Sequence, residues 1–291
     1  MPVLTVEHQT TYRYAKPVTF NEHRMMCRPR DSHDLRLLDT SLSISPPAKI
    51  RWLHDVFGNS IAIASFSEPA AELRFTSSFR AEHFPSSAQE VAIEDYARHL
   101  PFSYAAEDVS DLGRTLERHY PDPDHLVDQW AMSFVRNAAE QATLEVLTAI
   151  TEAIQHQFRY ARREEMGTQT PLETLQQGSG SCRDFALFMM EAVRSLGMAA
   201  RFVSGYLYDE KLIDAGQGVV GGGATHAWTQ VFLPGAGWVE FDPTNSLIGG
   251  HNLIRVAVAR DASQAVPLSG SFIGARGDYL GMDVVVKASV V

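Results

Sequence analysis

"GSGSCRDFALFMMEAVRSLG", residues 178–197, holds one of only two cysteines in a chain of 291 residues. Cys182 directly follows a Gly-Ser-Gly-Ser turn and opens an apolar run of helical spacing. Phe185, Phe188, Met189, Ala192, Val193 and Leu196 share one face, and Gly197 stops the helix. Cys182 lies three, four and seven residues before Phe185, Ala186 and Met189, so its sulfur is in phase with that face. A thiol at a helix start meets unsatisfied N–H groups and the positive end of the helix dipole, and both favour a nucleophilic sulfur. The plain alternative is a small buried hydrophobe, the commoner fate of a lone cysteine. The Gly-Ser-Gly before it lets backbone approach closely.

A nucleophilic cysteine needs a base, and the base needs an acceptor to orient it. Of eleven histidines, only His226 and His251 follow Cys182. His226 is the first polar residue of the apolar strand pattern in "GGGATHAWTQVFL", and Asp242 ends the next strand pattern in "GWVEFDPTNS". "PGAG" at 234–237 separates the two runs. If Leu233 pairs with Gly237, then Trp228 faces Asp242, and His226 becomes the diagonal neighbour of Asp242 on the same face. A two-residue loop would place them on opposite faces. Shared chemistry therefore requires an odd-length turn or a bulge.

Outward from this region, the first 85 residues read as strands. In "VLTVEHQTTYRY", Leu4, Val6, Tyr12 and Tyr14 alternate with Thr5, Glu7, Gln9 and Arg13, the period of a half-buried strand. "KIRWLHDV" and "SIAIASF" flank "FGN" as a hairpin, and "ELRFTSSFRAEHF" adds another strand. "FPSSAQ" at 84–89 reads as a linker. Helical patterns then take over. Leu147, Ile150, Ile154 and Phe158 fall on one face, and "TPLETLQQG" offers a Thr N-cap, Pro at the first position, Glu173 at the third and a glycine stop. "AARFVSGYLY", "THAWTQVFL" and "GWVEFDPT" return to strands. The class is α+β: an antiparallel sandwich-like domain over 1–87, then helices packed on an antiparallel sheet over 88–291, with a β-rich tail ending in "MDVVVKASVV".

Composition narrows the function classes. A net charge of −10 lacks the basic footprint that nucleic acid would need. The start has no basic segment followed by an apolar core, and residues 185–203 are broken by Glu191 and Arg194, so neither a secretory signal nor a membrane span is expected. Two cysteines make no disulfide framework, which fits a cytoplasmic protein with free thiols. Cys182 and His226 have no further ligands in recognisable spacing, so no metal is expected.

The stretches "GSGSCRDFALFMMEAVRSLGMAARFVSGY", "THAW" and "GWVEFDPTN", in the order Cys, His, Asp, resemble the transglutaminase-like superfamily of papain-type thiol enzymes. The run "HQTTYRYAKPV…EHRMMCRPRD" is similar to the β-rich domain that precedes this core in a bacterial subfamily. In the tail, "VARDASQAVPLSGSFIG" resembles a Gly-Arg-Asp-Tyr segment of relatives, with Ala259 and Ala262 in place of Gly and Tyr. The resemblance implies Cys182 as nucleophile, His226 as its base and Asp242 as the residue orienting that base, with a thioester intermediate and no cofactor. It implies an oxyanion held by the Cys182 N–H and a second donor, for which Tyr160 and Trp228 are candidates, although both read more readily as core aromatics. Asp184 reads as a first-turn charge complementing the helix dipole, His251 as a loop histidine, and Cys27 as inert.

Three functions fit these residues. The first is a thiol hydrolase (cysteine protease-like) cleaving a peptide or protein amide. The second is a transamidase joining glutamine acyl groups to amines, and the third is a non-catalytic peptide-binding module. All three of Cys, His and Asp are present, which favours an enzyme, and the hydrolase is the leading expectation.

Overall fold

The computed structural model describes residues 3–85, 91–135, 141–163, 167–208 and 225–290. The alternating N-terminal run forms β1 (Val3–Phe20), which turns Leu4, Val6, His8 and Tyr14 inward and Glu7 and Arg13 to solvent. It is followed by β2 (His23–Arg28), β3 (Leu35–Ser45), β4 (Ala48–His54), β5 (Ser60–Phe66) and β6 (Ala70–His83). The expected hairpin is β4–β5, with His54 opposite Ser60. Asp55 shapes its turn by accepting the N–H groups of Phe57 and Asn59 at 3.0 and 2.9 Å. One sheet runs β1–β6–β3 and a second runs β2–β5–β4. Tyr14, Phe20, Met25, Ala62, Leu73 and Phe75 fill the space between them, so the N-terminal part is the expected antiparallel sandwich.

The helical part comprises α1 (Ala106–Leu112), α2 (Leu126–Met132), α3 (Thr143–Gln157), α4 (Pro171–Gln177) and α5 (Cys182–Ser195), with two short strands, β7 (Arg159–Tyr160) and β8 (Ser179–Gly180). Leu147, Ile150, Ile154 and Phe158 are all buried, as their spacing predicts. α4 has the expected capping box between Thr170 and Glu173 and ends at Gly178 with φ of 56°, a left-handed stop that suits glycine. α5 lies against β9 (Ala200–Leu207) and β10 (His226–Leu233), where Phe185, Phe188 and Met189 share a core with Phe202 and Val231. β11 (Gly237–Asp242), β12 (Leu247–Ile248) and β13 (Leu253–Ala259) complete an antiparallel sheet in the order β12–β11–β10–β9–β13. Leu233 pairs with Gly237 across a three-residue turn, the odd length that the chemistry requires.

The β-rich tail at the end of the 88–291 segment lies on the sandwich: β14 (Leu268–Ser269) pairs with β2, and β15 (Phe272–Ile273) and β16 (Tyr279–Val290) pair with β1. β16 gives β1 a second neighbour and removes an open edge. Its inward Val284, Val286 and Ala288 pack with Leu4, Phe79, Tyr206 and Ile254 where the sandwich meets the core. The same junction is hydrogen-bonded: the Tyr206 and Tyr208 hydroxyls meet His8 Nδ1 and His83 Nδ1, each at 2.9 Å. Asn59 pairs with both the N–H and the C=O of Val258. The "FPSSAQ" linker from residue 86 onward and the three glycines at 221–223 lie outside the described residues. Among the described residues, no helix is long and apolar enough to cross a membrane.

Candidate active site

The start of α5 is held by more than a dipole. β8 runs parallel to β7, which sets Tyr160 opposite Gly180, two residues before Cys182. A Cβ on Gly180 would come within 2.8 Å of the Asp184 Cβ, so the close approach foreseen for the Gly-Ser-Gly turn is required here. Asp184 is 0 % exposed. One of its oxygens accepts the Ser181 N–H and hydroxyl at 2.8 and 2.7 Å, and the other accepts Arg163 Nη1 and the Gln169 N–H at 2.8 and 2.7 Å. Its role is therefore larger than the dipole charge expected of it. It ties the segment before α4 to the turn that presents Cys182.

His226 opens β10 opposite Gly205 of β9. A side chain at 205 would strike the Ile254 carbonyl at 2.1 Å and the Trp228 ring at 2.6 Å, so glycine lets three strands close around the histidine. The His226 Nε2–H donates to Asp242 Oδ2 at 2.8 Å, with His226 only 1 % exposed. Asp242 also accepts Asn245 Nδ2 at 2.8 Å and the Thr244 N–H at 2.9 Å. Nδ1 is the ring nitrogen left over. It is buried without a well-formed hydrogen bond, and the Cys182 side chain also acts on the ring. Burial pulls the imidazole down, but the Asp242 charge, its hydrogen bond and the Cys182 sulfur together push it up to about 10. Burial raises Asp242, and the His226 charge with the hydrogen bonds from His226, Asn245 and Thr244 more than reverses that, holding the carboxyl below its ordinary value.

The structure brings Cys182, His226 and Asp242 together and sets Cys27 and His251 apart from them. His251 is exposed. Cys27 is buried in β2, and burial pushes its thiol up against the opposing pull of Ser77 and Arg28. Trp228 stacks on the His226 ring with centroids 5.9 Å apart, but its Nε1–H donates to Glu240 at 2.5 Å. An indole N–H has one hydrogen to give, so Trp228 is the core aromatic and packing partner, not an oxyanion donor. Tyr160 stays half-buried against Phe185, and burial together with the Cys182 charge pushes its phenol up. The tail segment reaches this site too, through Arg183 Nη2 donating to the Ala262 carbonyl at 3.1 Å. Asn245 and Thr244 were not singled out from sequence. Their signal was the Asp-Pro-Thr-Asn turn, in which an Asx carboxylate commonly accepts the N–H two residues on.

Comparison with known proteins agrees with this architecture. Residues 4–82 match the model of the bacterial transglutaminase-like N-terminal region, and residues 128–243 match the transglutaminase-like superfamily. An uncharacterized protein of Mycobacterium tuberculosis is 30 % identical over 279 residues, covering 91 % of this chain and 86 % of that protein. One of Mycobacterium leprae is 28 % identical over 287 residues, covering 98 % of this chain and 97 % of that protein. The solved structure of a candidate cysteine protease from Cytophaga hutchinsonii has the same fold, with a TM-score of 0.75 at 18 % identity, covering 100 % of this chain and 91 % of that chain. Sandwich, thiol-enzyme-type core and matched segments together place the chain in the transglutaminase-like superfamily, with the N-terminal region of its bacterial members.

Proposed function

We propose that the protein is a thiol-dependent amide hydrolase acting on a peptide or protein amide, with Cys182 as nucleophile, His226 as acid–base and Asp242 as the residue that orients the imidazole. The observation that carries this reading is the buried His226–Asp242 hydrogen bond, which leaves Nδ1 to the Cys182 thiol. An imidazole fixed through Nε2 can exchange a proton only through Nδ1, and the cysteine is the reactive group on that side.

In this reading the sulfur attacks the amide carbonyl carbon while its proton resides on Nδ1. The carbonyl π electrons move to oxygen, which the Cys182 N–H at the open end of α5 stabilises, with the Tyr160 hydroxyl as second donor. Collapse of the oxyanion breaks the C–N bond, and Nδ1–H protonates the departing amine. Water then attacks the thioester carbon, giving one proton to Nδ1; the C–S bond breaks, Nδ1–H returns that proton to the sulfur, and the acid leaves and loses its remaining proton to solvent. Asp242 keeps its charge throughout and stabilises the imidazolium.

Incubation with a glutamine-containing peptide and a labelled primary amine tests the acceptor. Hydrolysis predicts release of ammonia, or cleavage of the peptide, without incorporation of the label. Incorporation that keeps pace with ammonia release would instead assign the transamidase reaction. No turnover of any peptide or protein amide by the wild type, with Cys182 inert to alkylation, would remove the enzymatic reading.

A further inference from the structure

Between the N-terminal sandwich and the core sheet lies a cavity of about 600 Å³, within the range that holds a small organic molecule. None of Cys182, His226 and Asp242 lines it. Arg201 of β9 does, and its surroundings are built. Its guanidinium carbon lies 4.1 Å from the centroid of the Trp238 ring, and its Nε–H donates to Gln230 Oε1 at 2.6 Å. These contacts hold one face and one edge of the group. The two terminal nitrogens have no protein acceptor among the described residues.

The neighbouring Arg255 is treated in the opposite way. Its two terminal nitrogens reach Glu240 at 2.9 Å and Asp34 at 3.1 Å. Glu240 is further occupied by the Trp228 and Gln230 side chains. The Glu240 and Asp34 carboxylates of this wall are thus held by groups other than Arg201. Burial pulls the Arg201 guanidinium down to about 9, opposed by Glu240 and reinforced by Arg255. Arg30 lines the cavity from the sandwich side, packed so closely over Gly58 that a Cβ there would meet its Nη1 at 2.4 Å. Among the described residues it too makes no hydrogen bond or ion pair.

A rigid guanidinium with its fork open fits a carboxylate through two parallel N–H···O bonds. Phe57, Val256 and Val258 line the same cavity and offer apolar surface to the rest of a ligand. Asp31 and Asp34 also line it, and like-charge repulsion makes the site poorer for a dianion such as phosphate than for a monoanion. We propose that this cavity, separate from the candidate active site, binds a small carboxylate with an apolar body, the carboxylate on the Arg201 fork and the body against Phe57 and Val258.

N-acetylphenylalanine and its C-terminal amide are suitable probes, titrated into the full-length protein by calorimetry and by thermal shift, with inorganic phosphate in a parallel arm. The acid is expected to bind and raise the melting temperature, while the amide does neither. Arg201→Gln is expected to weaken the acid by about tenfold or more, and Arg201→Lys to retain part of the binding because it keeps the charge but not the fork. Equal binding of acid and amide, tighter binding of phosphate, no binding of the acid, or an unchanged affinity in folded Arg201→Gln would each overturn the proposal. If Arg201→Gln does not fold, the acid-against-amide comparison on the wild type decides it alone.

Discussion

At the C-terminal end of α5, Arg194 donates to the Thr115, Ala200 and Arg260 carbonyls at 3.0, 2.8 and 2.7 Å and to Glu191 Oε1 at 2.8 Å. The other Glu191 oxygen accepts Arg118 Nε and the His119 N–H at 3.2 and 3.0 Å. At the N-terminal end of the same helix, the His226 ring is fastened through one nitrogen and leaves the other buried without a well-formed bond. Both ends bury charge, yet only one leaves a polar atom open beside a cysteine. A saturated network costs much to break and does nothing further, because every donor and acceptor is committed. An unsaturated atom in the interior costs stability, and it is also where a proton can be taken up or given away.

The sharpest way to break this contrast is to remove one group from each end. Cys182→Ala should abolish amide cleavage, with a loss of at least about 10⁴-fold, while costing only about 1 kcal/mol of stability. His226→Ala should lose a similar factor, and the double variant should be hardly worse than either single, because the two residues act as one unit. Kinetics and chemical denaturation of the three variants check this together. If Cys182→Ala instead unfolds the protein, the sulfur is a packing group and the N-terminal end belongs with the C-terminal one.

Glu191→Ala should show the reverse profile. It leaves the buried Arg194 cation without its carboxylate, and about 3–5 kcal/mol of stability should go with it. Whatever fraction remains folded should keep its turnover per active site, measured by active-site titration with an alkylating reagent. A folded Glu191→Ala enzyme with a thousandfold lower rate would mean that the two ends are not separable.

How far this contrast was legible in sequence follows from where each contact partner sits. The helix of Cys182 was readable because its apolar period is local, whereas the His226–Asp242 juxtaposition was readable only as a condition on the turn, which the pairing of Leu233 with Gly237 meets. The hub at Asp184 was not readable, since Arg163 and Gln169 reach it from 21 and 15 residues upstream through a bend that no periodicity encodes. Glu191 and Arg194 looked like polar interruptions of an apolar run, and only the tertiary packing shows them as a buried pair. The place of the tail is hidden for the same reason: alternation reveals that "MDVVVKASVV" is a strand but not that it covers the edge of β1. Asn245 and Thr244 were within reach, because an aspartate opening an Asp-Pro-Thr-Asn turn accepts hydrogen bonds from the residues that follow it.

Buried histidines sharpen the comparison through pH. The imidazole of His226 is raised to about 10, so its stabilisation is complete below its unfolded value near 6.5 and is lost as pH rises through about 10. His8 and His83, at the junction of sandwich and core, are pulled down to about 4, chiefly by burial. They stabilise fully above about 6.5 and lose that contribution as pH falls towards 4. Relative to His226→Gln, the wild type should therefore lose stability between neutral pH and pH 10. Relative to the His8→Gln, His83→Gln double variant it should lose stability between pH 6.5 and 4, by a few kcal/mol at most. Urea denaturation across pH measures both slopes, and equal signs would show that the two kinds of histidine do not differ as their contacts imply.

The smallest effect concerns the two thiols, which are equally hidden at 7 % exposure for Cys182 and 6 % for Cys27. Accessibility alone therefore predicts equal alkylation. The environments differ: Cys27 sits in the apolar interior of the sandwich with its thiol pushed up by burial, whereas Cys182 stands at a helix start beside an imidazole. Iodoacetamide at neutral pH should label Cys182 faster, by roughly tenfold, with the modified peptide identified by mass spectrometry. In His226→Gln most of that advantage should vanish while Cys27 reacts as before. Should the advantage survive the loss of the imidazole, the helix start alone activates the sulfur, and the difference between the two ends of α5 would rest on the dipole and not on the open nitrogen of His226.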